Sequence, residues 1–210
     1  MVCMRNPPLS GINHIFKNTK SLKSSTNILI LVKREHNMAF KTITKTYSIK
    51  TNRRLQFITI TDKVEETIKE SGIKTGLVVV QTHHTTFRIW VNEDEKNLVG
   101  HNEIDYEHDL MKVLDKFAHP NEEYKHNDVK DTRNPAGKRD THLCEPDEEG
   151  ICYECRNGHS HAQAMILPHS ITMIIENGKL LKGHWQEIMV CELDHDRTRK
   201  YSILVQGNNK

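Results

Sequence analysis

Short strand-type segments, each closed by a turn signal, recur along residues 41–205 and leave room for few helices. Residues 41–49 are rich in Thr and β-branched side chains and partly alternate, and 55–60 repeat the pattern after Asn52-Arg53. Residues 77–80 form an uninterrupted apolar run of the buried-strand type, while Phe87, Ile89 and Val91 alternate with Arg88 and Trp90. A later group follows: 171–175, the hairpin signal Asn177-Gly178, Leu180-Leu181, 186–193 and 201–205. Helical patterning is confined to two or three stretches. Asp62 with Glu65 gives a capping pattern, Val64 and Ile68 share a face, and Gly72 marks a stop. Leu110, Val113, Leu114 and Phe117 fall on one helix face that ends before Pro120, and 161–167 reads as a third helix closed by Pro168. The order ββ-α-ββ-α-(α)-βββ(β), with hairpin following hairpin and no internal repeat, predicts an α+β fold of mostly antiparallel strands.

Residues 120–158 carry no periodicity, and a loop of that length inside a compact domain is either functional or disordered. Residues 1–37 hold six basic residues against one acid, whereas the rest of the chain holds 24 against 27. This break divides the chain into a basic extension, 1–37, and a single domain, 38–210. The extension is read as disordered, against the competing readings of an organellar transit peptide and of an upstream extension before a working start at Met38. With Met38 as the start, a cytoplasmic location is expected. The longest apolar run, 28–32, is far short of the roughly 20 residues of a membrane helix, so no membrane partner is expected. A net charge of +2, without an arginine-rich stripe or aromatic ladder, argues against a nucleic-acid partner. No phosphate-binding glycine loop, nucleophile elbow or dinucleotide fingerprint is present.

Chemistry-bearing residues cluster instead around histidine and cysteine. The chain has 14 histidines, and histidine both ligates metals and carries protons near neutral pH. His83-His84-Thr85-Thr86 follows a buried-type strand, where an imidazole could reach a metal and the threonine hydroxyls an anion; strand-end histidines facing solvent and core are the competing reading. Tyr124-x-His126 and Asn157-x-x-x-His161 flank the aperiodic stretch, and three neutral imidazoles with one open position form a usual catalytic zinc site. His142, Cys144, Cys152 and Cys155 form His-x-Cys-x7-Cys-x-x-Cys, which suits a second tetrahedral metal; three free thiols in a reducing compartment are the alternative. Arg197 and Arg199, in a charged turn, have the planar forks that match phosphate, although such turns are also simply solvated.

Taken in order, His84-Thr85-Thr86 with Asn92-Glu93, Asp109, Tyr124 and His126, Asn157 with His161, Gly178-Lys179-Leu180, Gly183 with Trp185-Gln186, and Glu192-Leu193-Asp194 with Arg197 and Arg199 resemble the YjbQ family. The resemblance covers about residues 40–207. Members of that family are described as secondary thiamine-phosphate synthases. What it implies is a YjbQ-like two-layer sandwich, assembled as a homotrimer, with a histidine-rich site between subunits or at a sheet edge. It places a divalent metal, zinc or magnesium/manganese, on His84, His126 and His161, and acid/base catalysis on Glu93 and His161. Thr85, Thr86, Asn157, Trp185 and Gln186 would surround a phosphorylated small-molecule substrate. The implied reaction joins hydroxymethylpyrimidine diphosphate to thiazole phosphate; the alternatives are a metal-dependent hydrolase of another substrate and a non-catalytic metal-binding trimer. Two departures bear on pocket shape: the insertion at about 127–156, and Phe87 where a small residue commonly follows the His-Thr-Thr.

Overall fold

The computed structural model describes residues 40–100, 107–139 and 144–210; the extension 1–37, Met38 and His142 lie outside the described residues. The elements run β1 (Lys41–Lys50), β2 (Gln56–Thr59), α1 (Thr61–Ser71), β3 (Thr75–Thr82), β4 (Phe87–Asn92), α2 (Lys96–Val99), α3 (Asp109–Phe117), α4 (Gly158–Gln163), β5 (Ser170–Glu176), β6 (Lys179–Leu180), β7 (Glu187–Glu192) and β8 (Thr198–Asn208). They form an α+β sandwich. A larger antiparallel sheet has the order β1-β8-β3-β5-β6, and a smaller one the order β2-β7-β4.

The period of two along each strand decides which side chains are buried. Val78 and Val80 of β3, Ile203 and Val205 of β8 and Ile175 of β5 meet Ile188 and Val190 of β7 and Ile89 of β4, and Val64 and Ile68 of α1 close the same core. The alternate residues of β7, Met189 and Cys191, point the other way, into a second core with Phe57, Leu114 of α3, Val99 of α2 and Ala164 and Leu167 beyond α4. β7 is therefore buried on both faces, which accounts for its nearly unbroken apolar run. Each fully buried Val, Ile or Met contributes about 1.5–3 kcal/mol, so the two cores dominate the favourable side of folding.

The helices depart from the sequence reading in three places. α1 starts at Thr61, with Ile60 preceding it and no side-chain cap, so Asp62 lies inside the first turn, where its charge meets the positive end of the helix dipole. The Gly72 stop is as expected, at φ 69°. The one-turn α2 was not anticipated; the Glu95 carboxylate accepts from Leu98 N–H and makes it possible. The third predicted helix, 161–167, is displaced: α4 occupies Gly158–Gln163, and the apolar run after it turns out of the helix with Met165 and Ile166 exposed. Among its described residues, the insertion has two 3-10 turns at its borders, Lys125–Asn127 and Tyr153–Cys155, and one bridge between Val129 and Arg139. No helix among the described residues is long and apolar enough to cross a membrane.

Candidate active site

β7 and β4 pair so that Glu192 lies opposite Phe87, and Leu193 N–H donates to Thr86 O just beyond. The end of β7 thus meets the His84-Thr85-Thr86 turn. Glu192 is fully buried there and holds Arg199 of β8 through both carboxylate oxygens, with Nη2 at 2.6 Å from Oε1. The same carboxylate accepts from Thr51 Oγ1 and from Asp194 N–H, and Arg199 Nη2 also donates to Thr86 Oγ1. Thr86 is consequently a buried part of the frame, whereas Thr85 is exposed. His84 is fixed by Lys200 N–H, which donates to its Nε2 at 2.9 Å and requires that nitrogen to be unprotonated. Burial, then the Arg199 charge, lowers the His84 pKa below the usual histidine range.

α4 docks onto the same end of β7. Ser160 Oγ donates to Leu193 O at 2.8 Å, and Asn157 Nδ2 donates to Asp194 Oδ2 at 2.8 Å. Asn157 Oδ1 is thereby turned toward His126, so His126 Nε2–H donates to it at 3.2 Å and Nδ1 is left as the basic atom. The rings of His126 and His161 stand 4.5 Å apart between centroids. Burial lowers the pKa of both; for His126 Arg139 adds to the effect, and for His161 the His126 imidazole does. The two rings stand close enough to disfavour double protonation, so the pair carries one proton at most, which suits the exchange of a single proton. His159, beside them, donates Nε2–H to Ser160 Oγ because that hydroxyl proton is spent on Leu193 O. Its buried Nδ1 has no hydrogen-bond partner among the described residues.

Two features bring His126 to His161. Asn127 Oδ1 accepts from Gly158 N–H at 2.8 Å, tying the 3-10 turn to the start of α4. Gly158 is required by this approach, because a Cβ there would lie 2.4 Å from Tyr124 Cβ. On the other side, Arg139 Nη1 donates to His126 O at 2.8 Å and to Cys155 O at 2.6 Å. A cleft of about 620 Å3 opens here, lined by Lys125, His126, Asp128, Lys138 and Arg139. Arg139 was not singled out from the sequence; it lies in the aperiodic insertion, where no local pattern marks it.

The structure divides the predicted site residues between the two ends of β7. His84, Thr85, Thr86, His126, Asn157 and His161 belong to the Glu192 end. Glu93, Trp185 and Gln186 lie at the Glu187 end, where Asn92 pairs with Glu187; Glu93 is exposed and Trp185 is 67% exposed. Five residues of strand separate the ends, about 17 Å at ~3.4 Å per residue. Glu93 therefore does not join His161 within one chain. Of the three histidines, His84 has its basic Nε2 engaged by Lys200, whereas His126 keeps Nδ1 as its basic atom. Among the described residues no three His, Cys, Asp or Glu side chains are set to hold a metal ion. In the insertion, burial, then the Cys155 and Cys152 thiols, push the Cys144 thiol up to about 12.

Comparison with known proteins bears on the family and the fold. The family described as "UPF0047 protein YjbQ-like" matches residues 45–208. A UPF0047 protein of Archaeoglobus fulgidus is 29% identical over 74% of this chain and 95% of its own length; the UPF0047 protein YugU of Bacillus subtilis is 31% identical over 78% and 98%. A YbjQ-like protein from Sulfolobus solfataricus P2, 26% identical, superposes over 81% of this chain and all of its own with a TM-score of 0.62. A conserved YjbQ/UPF0047 protein of Clostridium acetobutylicum, 31% identical, covers 77% of this chain and 98% of its own with a TM-score of 0.55. With the family match over residues 45–208 and 31% identity to YugU over nearly all of that protein, this chain belongs to the UPF0047/YjbQ family.

Proposed function

We propose that the chain is a group-transfer enzyme acting on phosphorylated small molecules, by the thiamine-phosphate synthase reaction. The observation that carries this reading is the His126–His161 pair beside a cleft lined by Lys125, Lys138 and Arg139. In that reaction the thiazole nitrogen displaces pyrophosphate from the pyrimidine methylene. A C–N bond forms, the C–O bond breaks, and its electron pair leaves on the pyrophosphate oxygen. The cost of the step lies in the charge gathering on that leaving group, which cationic side chains offset where they are preorganised. Lys125 and Lys138 have the charge to hold the pyrophosphate, and the protonated member of the histidine pair gives it a proton. Asn157, anchored on Asp194, keeps His126 in the tautomer that the exchange requires.

Glu93, Trp185 and Gln186 enter this reading through assembly. In a homotrimer, the Glu187 end of one subunit would meet the Glu192 end of the next and complete the pocket. Purified full-length protein supplied with both precursors, with magnesium, manganese or zinc in separate arms, is expected to form thiamine phosphate and pyrophosphate; His161→Asn should abolish product while retaining the wild-type melting profile. Absence of product above the blank in every arm would refute the synthase reading. Mixing inactive His161→Asn with inactive Glu93→Gln chains tests the assembly. Shared sites recover part of the activity, and sites contained in single chains recover none.

A further inference from the structure

A second cleft, of about 540 Å3, opens between α1 and the β5–β6 hairpin. Ile68 and Leu180 line it from the first core, where both are buried, so its base is apolar. Its rim is cationic: Lys69, Lys74, Lys179 and Lys182 stand around it against one carboxylate, Glu65. The hairpin turn explains how Lys74 comes there. Asn177 and Gly178 join β5 to β6 with positive φ at both residues, 54° and 75°. Gly178 N–H donates to Lys74 O at 2.9 Å, and the Lys74 side chain lies across the glycine, since a Cβ there would stand 3.1 Å from Lys74 Cδ and 3.3 Å from Nζ. Lys182 donates to Glu187 Oε1 at 2.9 Å, with both side chains mostly buried. Lys69, Lys74 and Lys179 make no salt bridge among the described residues. Glu187 thus neutralises Lys182 and Glu65 offsets one of the other three lysines, which leaves two positive charges around an apolar base.

We propose that this cleft binds a phosphorylated small molecule with an apolar body, its phosphate among Lys69, Lys74 and Lys179 and its body against Ile68 and Leu180. A phosphate monoester carries a charge of about −1.5 to −2 near neutral pH, which matches the two unneutralised positive charges. A cleft lined by one sign of charge concentrates its potential inward, and an ammonium is a point charge that phosphate oxygens can approach from several directions. The volume lies in the range of small-molecule sites, roughly 300–1,000 Å3. Lysines gathered on one rim repel one another, and a bound anion relieves that repulsion, so the ligand stabilises the fold. Through Lys182 and Glu187 the cleft sits at the end of β7 opposite the histidine pair, and it shares no residue with the cleft at His126. It does not rest on the transferase reading.

The test reads lysine acylation rates by mass spectrometry on full-length protein, with phenyl phosphate in one arm and inorganic phosphate in another. Phenyl phosphate should slow acylation of Lys69, Lys74 and Lys179 several-fold while Lys112, on α3, reacts as before. It should bind about tenfold more tightly than inorganic phosphate, because part of its ring is buried on the apolar base. In calorimetry, Lys74→Gln/Lys179→Gln should weaken phenyl phosphate binding about tenfold; both side chains are exposed, so the fold should persist. Lys125→Gln/Lys138→Gln, which strips the cleft at His126, should leave the protection of Lys69, Lys74 and Lys179 intact. Protection confined to Lys125 and Lys138, or equal affinity in wild type and Lys74→Gln/Lys179→Gln, would overturn the site. Equal affinity for the two probes would overturn the apolar half of the proposal.

Discussion

Replacing Gly158 by Ala sets two effects of opposite sign against each other. At the first residue of α4, Ala gains at most about 1 kcal/mol over Gly in helix propensity. Against that gain, the new Cβ would stand 2.4 Å from Tyr124 Cβ and 2.7 Å from Cγ, well inside contact distance and against the root of a side chain that cannot rotate away. The helix start and the 3-10 turn must separate. That costs about 1–3 kcal/mol in strain, and a further ~1 kcal/mol for the stretched Gly158 N–H to Asn127 Oδ1 bond. The net is a loss of about 1–3 kcal/mol, or roughly 2–12 °C in melting temperature for a domain of this size. Urea unfolding should show a lower midpoint at an unchanged slope. The separation also draws His126 off His161, so activity should fall by more than the folded fraction does. A variant as stable as wild type, or more so, would show that helix propensity governs the position and that the Tyr124 approach is loose.

The buried Glu192–Arg199 pair predicts a larger effect. Glu192→Leu strands a guanidinium that is 5% exposed and should cost about 3–5 kcal/mol, with Arg199→Met in the same chain recovering much of it; equal losses in the single and double variants would remove the ion pair as the cause. Acid should destabilise the fold before its carboxylates titrate. Burial lowers the His108 pKa from 6.5, only partly offset by the hydrogen bond of its Nε2–H to the Leu55 carbonyl, and His84, His126, His159 and His161 shift the same way. As pH falls below 6.5 the unfolded chain takes up these protons first. The stability is complete above that value and is lost as pH falls through the window down to the lowered folded pKa values. Melting temperature should drop as pH falls below 6.5, and His108→Gln should flatten the slope; a flat or rising profile would contradict the burial of these imidazoles.

The strands were legible because their signal is local: alternation in residues 87–91, the apolar run 77–80 and the Asn177-Gly178 turn each speak for themselves. α4 was misplaced for a physical reason. Residues 164–167 look like a helix face, yet only Ala164 and Leu167 reach the core, and Asn157 with Gly158 starts the helix earlier to meet Asn127 and Asp194. The sequence groups His126 and His161 in a set with His84, but the ring contact of the two depends on Gly158 and on Arg139, which no local pattern marks. His108 carried no signal either, although its Nδ1 accepts from Met111 N–H as the cap of α3. The separation of Glu93 from His161 follows from the β4–β7 register, which is a long-range property that motif order does not encode.

The burial of β7 explains why the candidate residues fall into two groups at all. A strand with one solvated face can present functional side chains along its length, but β7 is covered by the larger sheet on one face and by α3 and the chain around α4 on the other. Chemistry can be placed only beyond its ends: at Leu193 and Asp194, where Thr86, Ser160 and Asn157 attach, and at Trp185 and Gln186, before Glu187. A site that uses both ends cannot close within one chain across about 17 Å of packed strand. Either the Glu187 end serves a neighbouring copy, or it takes no part in the chemistry of the histidine pair. Chain mixing separates these cases, because Glu93→Gln rescues His161→Asn only when the two ends meet across subunits.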